Sequence, residues 1–343
     1  MHTKLDEMLK TCDAVLLTSP HNMRYFSGFS GGEGAVLITS NIKTVYTDSR
    51  YTEAAQLEAK SFKVIETNNW LGELKDFNSI IFEDEEVSAA DYEKLKKELP
   101  KTKLISGSAE LKKLRMVKTD AELEKIAEAE GLACRAFEYV LGIIKPGLYE
   151  FELAAELEYY MKKNGGEGTS FETIAISGAR TSLPHGVPTK KRIEKGDFVT
   201  MDFGCKIGGY CADMTRTVVA GKANEEQRKI YNIVKIAQQT GLDFIREGVT
   251  GKAADAAARR VIEDAGYGEY FRHSLGHGVG LLVHELPNLS PKSEIQLKTN
   301  MVVSCEPGIY IPDFGGVRIE DLVVVKADGC TNLTPATKEL IEI

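Results

Sequence analysis

The chain has no apolar run approaching the roughly 20 residues that a membrane-spanning helix requires. Its N-terminus, MHTKLDEMLKTCDAV, has neither a long apolar stretch nor a small-residue cleavage site, so it does not read as a secretory signal. Lys and Arg are dispersed and the net charge is −8, which argues against nucleic-acid and membrane partners. The six cysteines, Cys12, Cys134, Cys205, Cys211, Cys305 and Cys330, include no CxxC. Without an export signal they read as reduced cytoplasmic thiols rather than disulfides. GHGVG resembles a glycine-rich loop, yet its histidine and flanks fit neither phosphate fingerprint. Low-complexity segments are absent.

What remains is an ordinary globular composition, 43% hydrophobic and 27% charged over 343 residues, long enough for two domains with good cores. In the first part, AVLLT, GAVLIT, KTVYTD, FKVIET and SIIFE read as strands, and YTEAAQLEA and SAADYEKLKKEL as helices, the second capped by Ser88. The alternation predicts an α/β domain over residues 1–117. Thr119 and Glu122 form a capping box that opens a long helix ending around Lys145-Pro146-Gly147, which places the domain change near Val117. In residues 118–343, helices are expected from Glu150 to Asn164, Asn224 to about Glu247 and Thr250 to Gly266. Two helix pairs, each followed by antiparallel strands, hint at an internal duplication.

Asp202 and Asp213 lie in VTMDFGCKIGGYCADMTRTV, symmetric about Ile207-Gly208. A hairpin folded there predicts two directly opposed carboxylates, roughly 4.5–5.5 Å apart at Cβ, where like charges destabilise. A bound cation reverses that penalty. Glu306 in VVSCEPGIYIP and Glu320 in GGVRIEDLVVV make a second pair about Asp313, which requires an odd-numbered loop or a bulge. The strands around all four acids are apolar enough to be buried, and buried carboxylates need partners. His277, between Gly276 and Gly278, adds an imidazole. Carboxylates with one imidazole suit Mn²⁺, Fe²⁺, Co²⁺ or Zn²⁺. Five ligands exceed what one catalytic ion needs but are consumed by two ions about 3.5–4 Å apart. Three further histidines, His185, His273 and His284, are candidates for substrate binding, proton transfer and oxyanion stabilisation. Arg318, two residues from Glu320 on the same strand face, is expected to orient that carboxylate.

The segments LPHG, DFGCKIGGYCADMTRT, HSLGHGVGLLVHELP, EPGIYIP and GGVRIED resemble the signature blocks of the pita-bread metallopeptidases. NMRYFSGFSGGEGAVLIT and YTDSRY are similar to the N-terminal domain of the branch containing aminopeptidase P and prolidase. The resemblance implies an α+β protein: a C-terminal pita-bread domain of creatinase/aminopeptidase type, built of pseudo-twofold halves, after a smaller α/β domain. It implies two divalent metal ions, manganese first, on Asp202, Asp213, His277, Glu306 and Glu320, with Glu306 also a proton shuttle. His185, His284 and Arg318 are then catalytic, and His185, His273 and His284 bind substrate. The expected reaction is hydrolysis of the Xaa-Pro bond at peptide N-termini, by a cytoplasmic homodimer acting on small peptides. Candidates for the proline slot are Gly280–Val283, Phe171 and Tyr210. Prolidases of this branch hold the terminal carboxylate with an arginine where this chain has Asn288, which favours an aminopeptidase P over a dipeptidase, although Lys292 lies close enough in sequence to substitute. A catalytically silent binding protein on the same fold is the contrasting expectation, disfavoured by the complete ligand set.

Overall fold

A computed structural model describes residues 3–343; Met1 and His2, which open the N-terminal segment read above, lie outside the described residues. The chain divides into two compact units, Met1–Arg115 and Met116–Ile343.

The first unit is built on a six-stranded mixed sheet. Its spatial order is Lys63–Glu66, Lys43–Thr47, Ala35–Thr39, Ala14–Leu17, Ser79–Phe82, Lys103–Ser106. Alternate residues of the central strands enter different cores. Val15, Leu17, Val36 and Ile38 pack on one face, and Ala14, Leu16, Ala35 and Leu37 on the other. Burial of both faces explains why these segments read as continuous apolar runs. The five expected strands are present, as are helices Thr52–Glu58 and Ala89–Glu98, the latter with Ser88 accepting the Asp91 N–H. Strand Lys103–Ser106 and helices Pro20–Ser27 and Ser108–Met116 were not foreseen.

In the second unit Thr119 and Glu122 form the expected capping box on helix Asp120–Leu141, which stops at Gly142, short of the Lys145 region. Helix Glu150–Lys163 follows, then a three-stranded antiparallel sheet of Ile174–Ser177, Phe198–Phe203 and Met214–Val219. The pattern recurs. Helices Glu225–Phe244 and Gly251–Asp264, capped by Asn224 and Thr250, precede a five-stranded sheet of Gly276–Gly278, Glu285–Leu289, Val302–Cys305, Asp321–Lys326 and Gly329–Asn332.

The first ligand hairpin turns one residue later than its sequence symmetry predicts. Ile207 pairs with Tyr210, and Asp202 with Thr215, so the centre is Gly208-Gly209. Both glycines have positive φ, 57° and 81°, as a two-residue type I′ turn demands. Ile207 could not take the first of these positions cheaply. Asp202 therefore faces Thr215, and Asp213 lies diagonally, two residues along on the same face. The expected direct apposition is replaced by a diagonal one.

The second hairpin has the odd loop. Ile311 pairs with Gly315 across Pro312-Asp313-Phe314, with Asp313 at φ 61°. The same register continues through Gly308 with Arg318 to Cys305 with Asp321. Glu306 and Glu320 are opposed within it.

Candidate metal centre

The five proposed ligands line one cavity of about 410 Å³, together with His185, His273, His284 and Arg318. Asp213, His277 and Glu320 each bring a donor atom within 4.8 Å of the other two. His277 Nε2 lies 3.2 Å from Glu306 Oε1 and 3.6 Å from Asp213 Oδ2. On the far side of the ring, Nδ1 is 3.2 Å from the Gly278 carbonyl, to which it donates, leaving Nε2 turned toward the carboxylates.

The hairpin ladder opens at the ligands. Glu306 N–H donates to Leu275 O at 2.8 Å, and Glu320 N–H to Thr215 O at 3.1 Å. Asp213 N–H donates to Glu130 Oε2 at 3.0 Å. Side-chain hydrogen bonds then fix one oxygen of each of two carboxylates. Arg318 Nη2 donates to Asp202 Oδ2 at 2.6 Å, and the Thr215 hydroxyl to Glu320 Oε2 at 2.7 Å. Their other oxygens, Asp202 Oδ1 and Glu320 Oε1, are buried without a hydrogen-bond partner. Such orphaned acceptors are costly and rare in native folds. Hard oxygen donors beside an imidazole are a chemical fit for a divalent transition metal, which would satisfy them.

Electrostatics agree. Burial, and then the neighbouring Glu320 and Asp202 charges, push the Asp213 carboxyl well above its ordinary range. Burial followed by Glu306 and Asp202 does the same to Glu320. Burial also raises Asp202, against the pull of Arg318. At Glu306 burial works upward, but the His277 hydrogen bond and charge outweigh it and hold the group at about 2. Burial works downward on His277, and its bond to Glu306 reverses the direction. The cavity floor thus collects more negative charge than it can neutralise, and cations relieve it.

Arg318 is placed differently from expectation. It binds Asp202 directly and reaches Glu320 only through the Thr215 hydroxyl, which accepts from its Nε at 3.0 Å. Its Nη1 donates to the Tyr310 hydroxyl at 2.8 Å, and that hydroxyl lies 2.8 Å from His273 Nε2. His273 Nδ1 donates to Ser274 O at 2.8 Å, so its Nε2 accepts from Tyr310 and neither ring nitrogen is free for substrate. Burial keeps this imidazole below its usual pKa, consistent with a neutral ring. His273 thus takes part in a hydrogen-bonded chain rather than the expected substrate contact. Tyr310 was missed in the sequence. Once the turn is centred on Asp313, Tyr310 and Arg318 are diagonal neighbours, and Gly308 and Gly316 leave the room a Cβ would take from the Tyr310 ring.

His284 stands at the mouth, its ring centroid 4.3 Å from that of His277 in an edge arrangement. Burial and the His277 charge lower its pKa. His185 is exposed at the rim between Pro184 and Gly186. Phe171 and Val283 line the cavity, whereas Tyr210 does not: it is buried with its hydroxyl donating to Glu122 Oε1 at 3.0 Å. Asn288 and Lys292 are exposed and outside the lining. The thiols of Cys205, Cys211 and Cys305 donate to the carbonyls of Ala129, Leu281 and Gln238 rather than to the cluster. Glu130, the buried acceptor of the Asp213 amide, was also missed; burial pushes it up to about 7.

A profile of metallopeptidase family M24 matches residues 124–327, and one of the creatinase/prolidase N-terminal domain matches residues 4–117. The Xaa-Pro dipeptidase of Pyrococcus furiosus is 40% identical over 360 aligned positions, covering 99% of this chain and 100% of its own. Among solved structures, the Xaa-Pro dipeptidase from Bacillus anthracis superposes with a TM-score of 0.96 at 41% identity, covering 99% of this chain and 98% of that one. An X-Pro aminopeptidase from Thermotoga maritima MSB8 superposes at 0.93 with 39% identity, covering 99% and 100%.

Proposed function

The chain belongs to metallopeptidase family M24, hydrolases of the pita-bread fold, and from that premise we propose that it is an Xaa-Pro dipeptidase. The observation that carries the proposal is the end-to-end match to an Xaa-Pro dipeptidase by sequence, joined to a cavity lined by all five candidate ligands. The aminopeptidase P preference drawn from Asn288 gives way, because that residue is exposed and does not line the cavity.

In this reading Asp202, Asp213, His277, Glu306 and Glu320 hold two divalent ions, manganese being our first choice. When bound, such ions supply Lewis acidity and lower the pKa of water toward neutrality. Glu306, partly exposed to the cavity and hydrogen-bonded by Ser304 Oγ at 3.1 Å, takes a proton from the attacking water and passes it to the prolyl nitrogen as that bond breaks. His284 and His185, at the mouth, orient the substrate and donate to the carbonyl oxygen as negative charge develops there. Arg318 holds Asp202 and, through Thr215, steadies Glu320. Proline offers no amide N–H to read, so recognition falls to shape. Phe171 and Val283 supply an apolar wall for the ring.

We assign residues 1–117 to the N-terminal module and 118–343 to the catalytic module, supported by the division between Arg115 and Met116. Six unpaired thiols support a reducing, cytoplasmic setting, and no helix among the described residues is long and apolar enough to cross a membrane. The homodimer expectation rests on family resemblance.

The test is hydrolysis of Ala-Pro and Ala-Pro-Ala side by side, with ion-stripped and Mn²⁺-loaded protein. Metal-dependent cleavage of the dipeptide alone is expected. Cleavage mainly of the tripeptide restores the aminopeptidase reading, and cleavage of neither by metal-loaded protein removes the proline assignment.

A further inference from the structure

Behind the ligands, on the strand face turned away from the cavity, lies a second charged cluster. Arg216 follows Thr215, so its side chain leaves the opposite face of the strand. It is 1% exposed. Its Nε donates to Thr337 O at 3.0 Å. Its Nη1 donates to Thr215 O at 2.9 Å and Glu320 O at 2.5 Å. Its Nη2 donates to Asp321 Oδ1 at 2.8 Å and Ala336 O at 2.7 Å. All five guanidinium donors are thereby used, a planar fan that a lysine cannot reproduce.

A second connection runs to Asp213. Glu130 accepts the Asp213 N–H on Oε2 and the Thr334 hydroxyl on Oε1, the latter at 2.6 Å. That hydroxyl also accepts the Leu322 N–H at 2.9 Å. The segment Thr334–Thr337 is thus joined to Asp213 through Glu130 and to Glu320 through Arg216.

A buried ion pair kept for stability alone needs only Arg216 and Asp321. Instead, four of the five donors of Arg216 go to backbone carbonyls, two of them Thr215 O and Glu320 O at the joint between the ligand strands. This is where support is required. The regular ladder has opened at Asp213 and Glu320, so a continuous sheet no longer fixes their backbone.

Resting on the metal-site reading above, we propose that Arg216, Glu130 and the segment Thr334–Thr337 form a strap that sets the spacing of Asp213 and Glu320 for a cation. Arg216 is a positioning residue with no contact of its own with the ion.

The experiment compares Arg216→Lys, Thr334→Val, Thr334→Ser and Lys338→Met with the parent, each first stripped by chelator. Mn²⁺ affinity is measured by calorimetry, the ligand field by the visible spectrum of Co²⁺-loaded protein, and ion-free stability by thermal melting. Lys338 donates to Asp321 Oδ2 at 2.8 Å and touches neither ligand, so its variant controls for general loosening. Arg216→Lys and Thr334→Val are expected to weaken Mn²⁺ binding about 10–100-fold, as loss of a ligand's support does, and to alter the Co²⁺ spectrum. Thr334→Ser is expected to restore both, and Lys338→Met to lower only the melting temperature. Unchanged affinity and spectrum in Thr334→Val, or an equal loss of affinity in Lys338→Met, overturns the strap. Should Arg216→Lys fail to fold, the Thr334 pair decides alone. A parent protein that binds no Mn²⁺ removes the metal-site reading and the strap with it.

Discussion

Glu306 and Glu320 stand opposite one another in a single hairpin register, at the point where each backbone N–H leaves the ladder for an acceptor elsewhere. Two carboxylates so placed repel in the ion-free protein and become an asset only when cations lie between them. Glu320→Gln is therefore expected to have opposite effects in the two states. Bound metal falls, and turnover falls by more than the about 10–100-fold typical of a residue that only supports a ligand. The ion-free variant, relieved of a buried charge, melts above the ion-free parent. Metal analysis, peptide hydrolysis and paired melting curves check this, and full activity in the variant sinks the assignment.

Chelation should destabilise the catalytic unit. An ion present at 100–1,000 times its dissociation constant contributes about 2.7–4.1 kcal/mol. At about 2–4 °C per kcal/mol for a domain of this size, the expected fall in melting temperature is about 5–15 °C. Re-addition of Mn²⁺ should restore it. A melting temperature indifferent to chelator and metal contradicts the site.

His284→Ala separates chemistry from metal binding. The imidazole stands at the cavity mouth beside His277. Turnover is expected to drop about 10²–10⁴-fold, the range for loss of a positioned acid or base, with metal content unchanged. Loss of metal in parallel makes His284 a ligand instead.

The thiols give a pH prediction. Burial pushes Cys134 and Cys205 up to about 12, and Cys211 and Cys330 up to about 11. At pH 8 the thiolate fraction of these groups is on the order of 10⁻³ or less. The folded protein should resist iodoacetamide at these positions, and intact mass should show them modified only after unfolding. The sign for stability follows from proton linkage. Above the ordinary thiol value near 9 the unfolded chain releases these protons and the folded chain keeps them, so stability falls as pH climbs from about 9 toward 11–12. A flat melting temperature across that window counts against the burial.

The candidate donors and the helix starts were legible because their signals are local: acids in apolar strands, a histidine between glycines, caps before the first helical turn. Asp202, Asp213, His277, Glu306 and Glu320 all reach one cavity for that reason. Register was less legible, since symmetry of the acids suggested one turn and the backbone needs of Gly208-Gly209 imposed another. Supporting residues were illegible. The bond from Thr334 to Glu130 spans 204 positions, and only tertiary packing brings them together. Asn288 shows the converse limit. Likeness to prolidases, which carry an arginine there, made position 288 bear on the choice of substrate, whereas alternation along Glu285–Leu289 turns that side chain outward. Strand Lys103–Ser106 escaped notice because its burial is only partial, and helix Pro20–Ser27 because its proline, usually a breaker, sits at the first turn.

The tether from Thr334 through Glu130 to Asp213 also has a bearing on how the protein is born. Chains emerge from the ribosome in order, and all five ligands precede Thr334. A nascent chain arrested after Glu320 would carry all five candidate donors while Glu130 and Arg216, which hold the Asp213 amide and the Glu320 carbonyl, still lacked their partners in Thr334–Thr337. On the proposed strap, loading of a cation would then be a maturation step, completed by residues outside the ligand set.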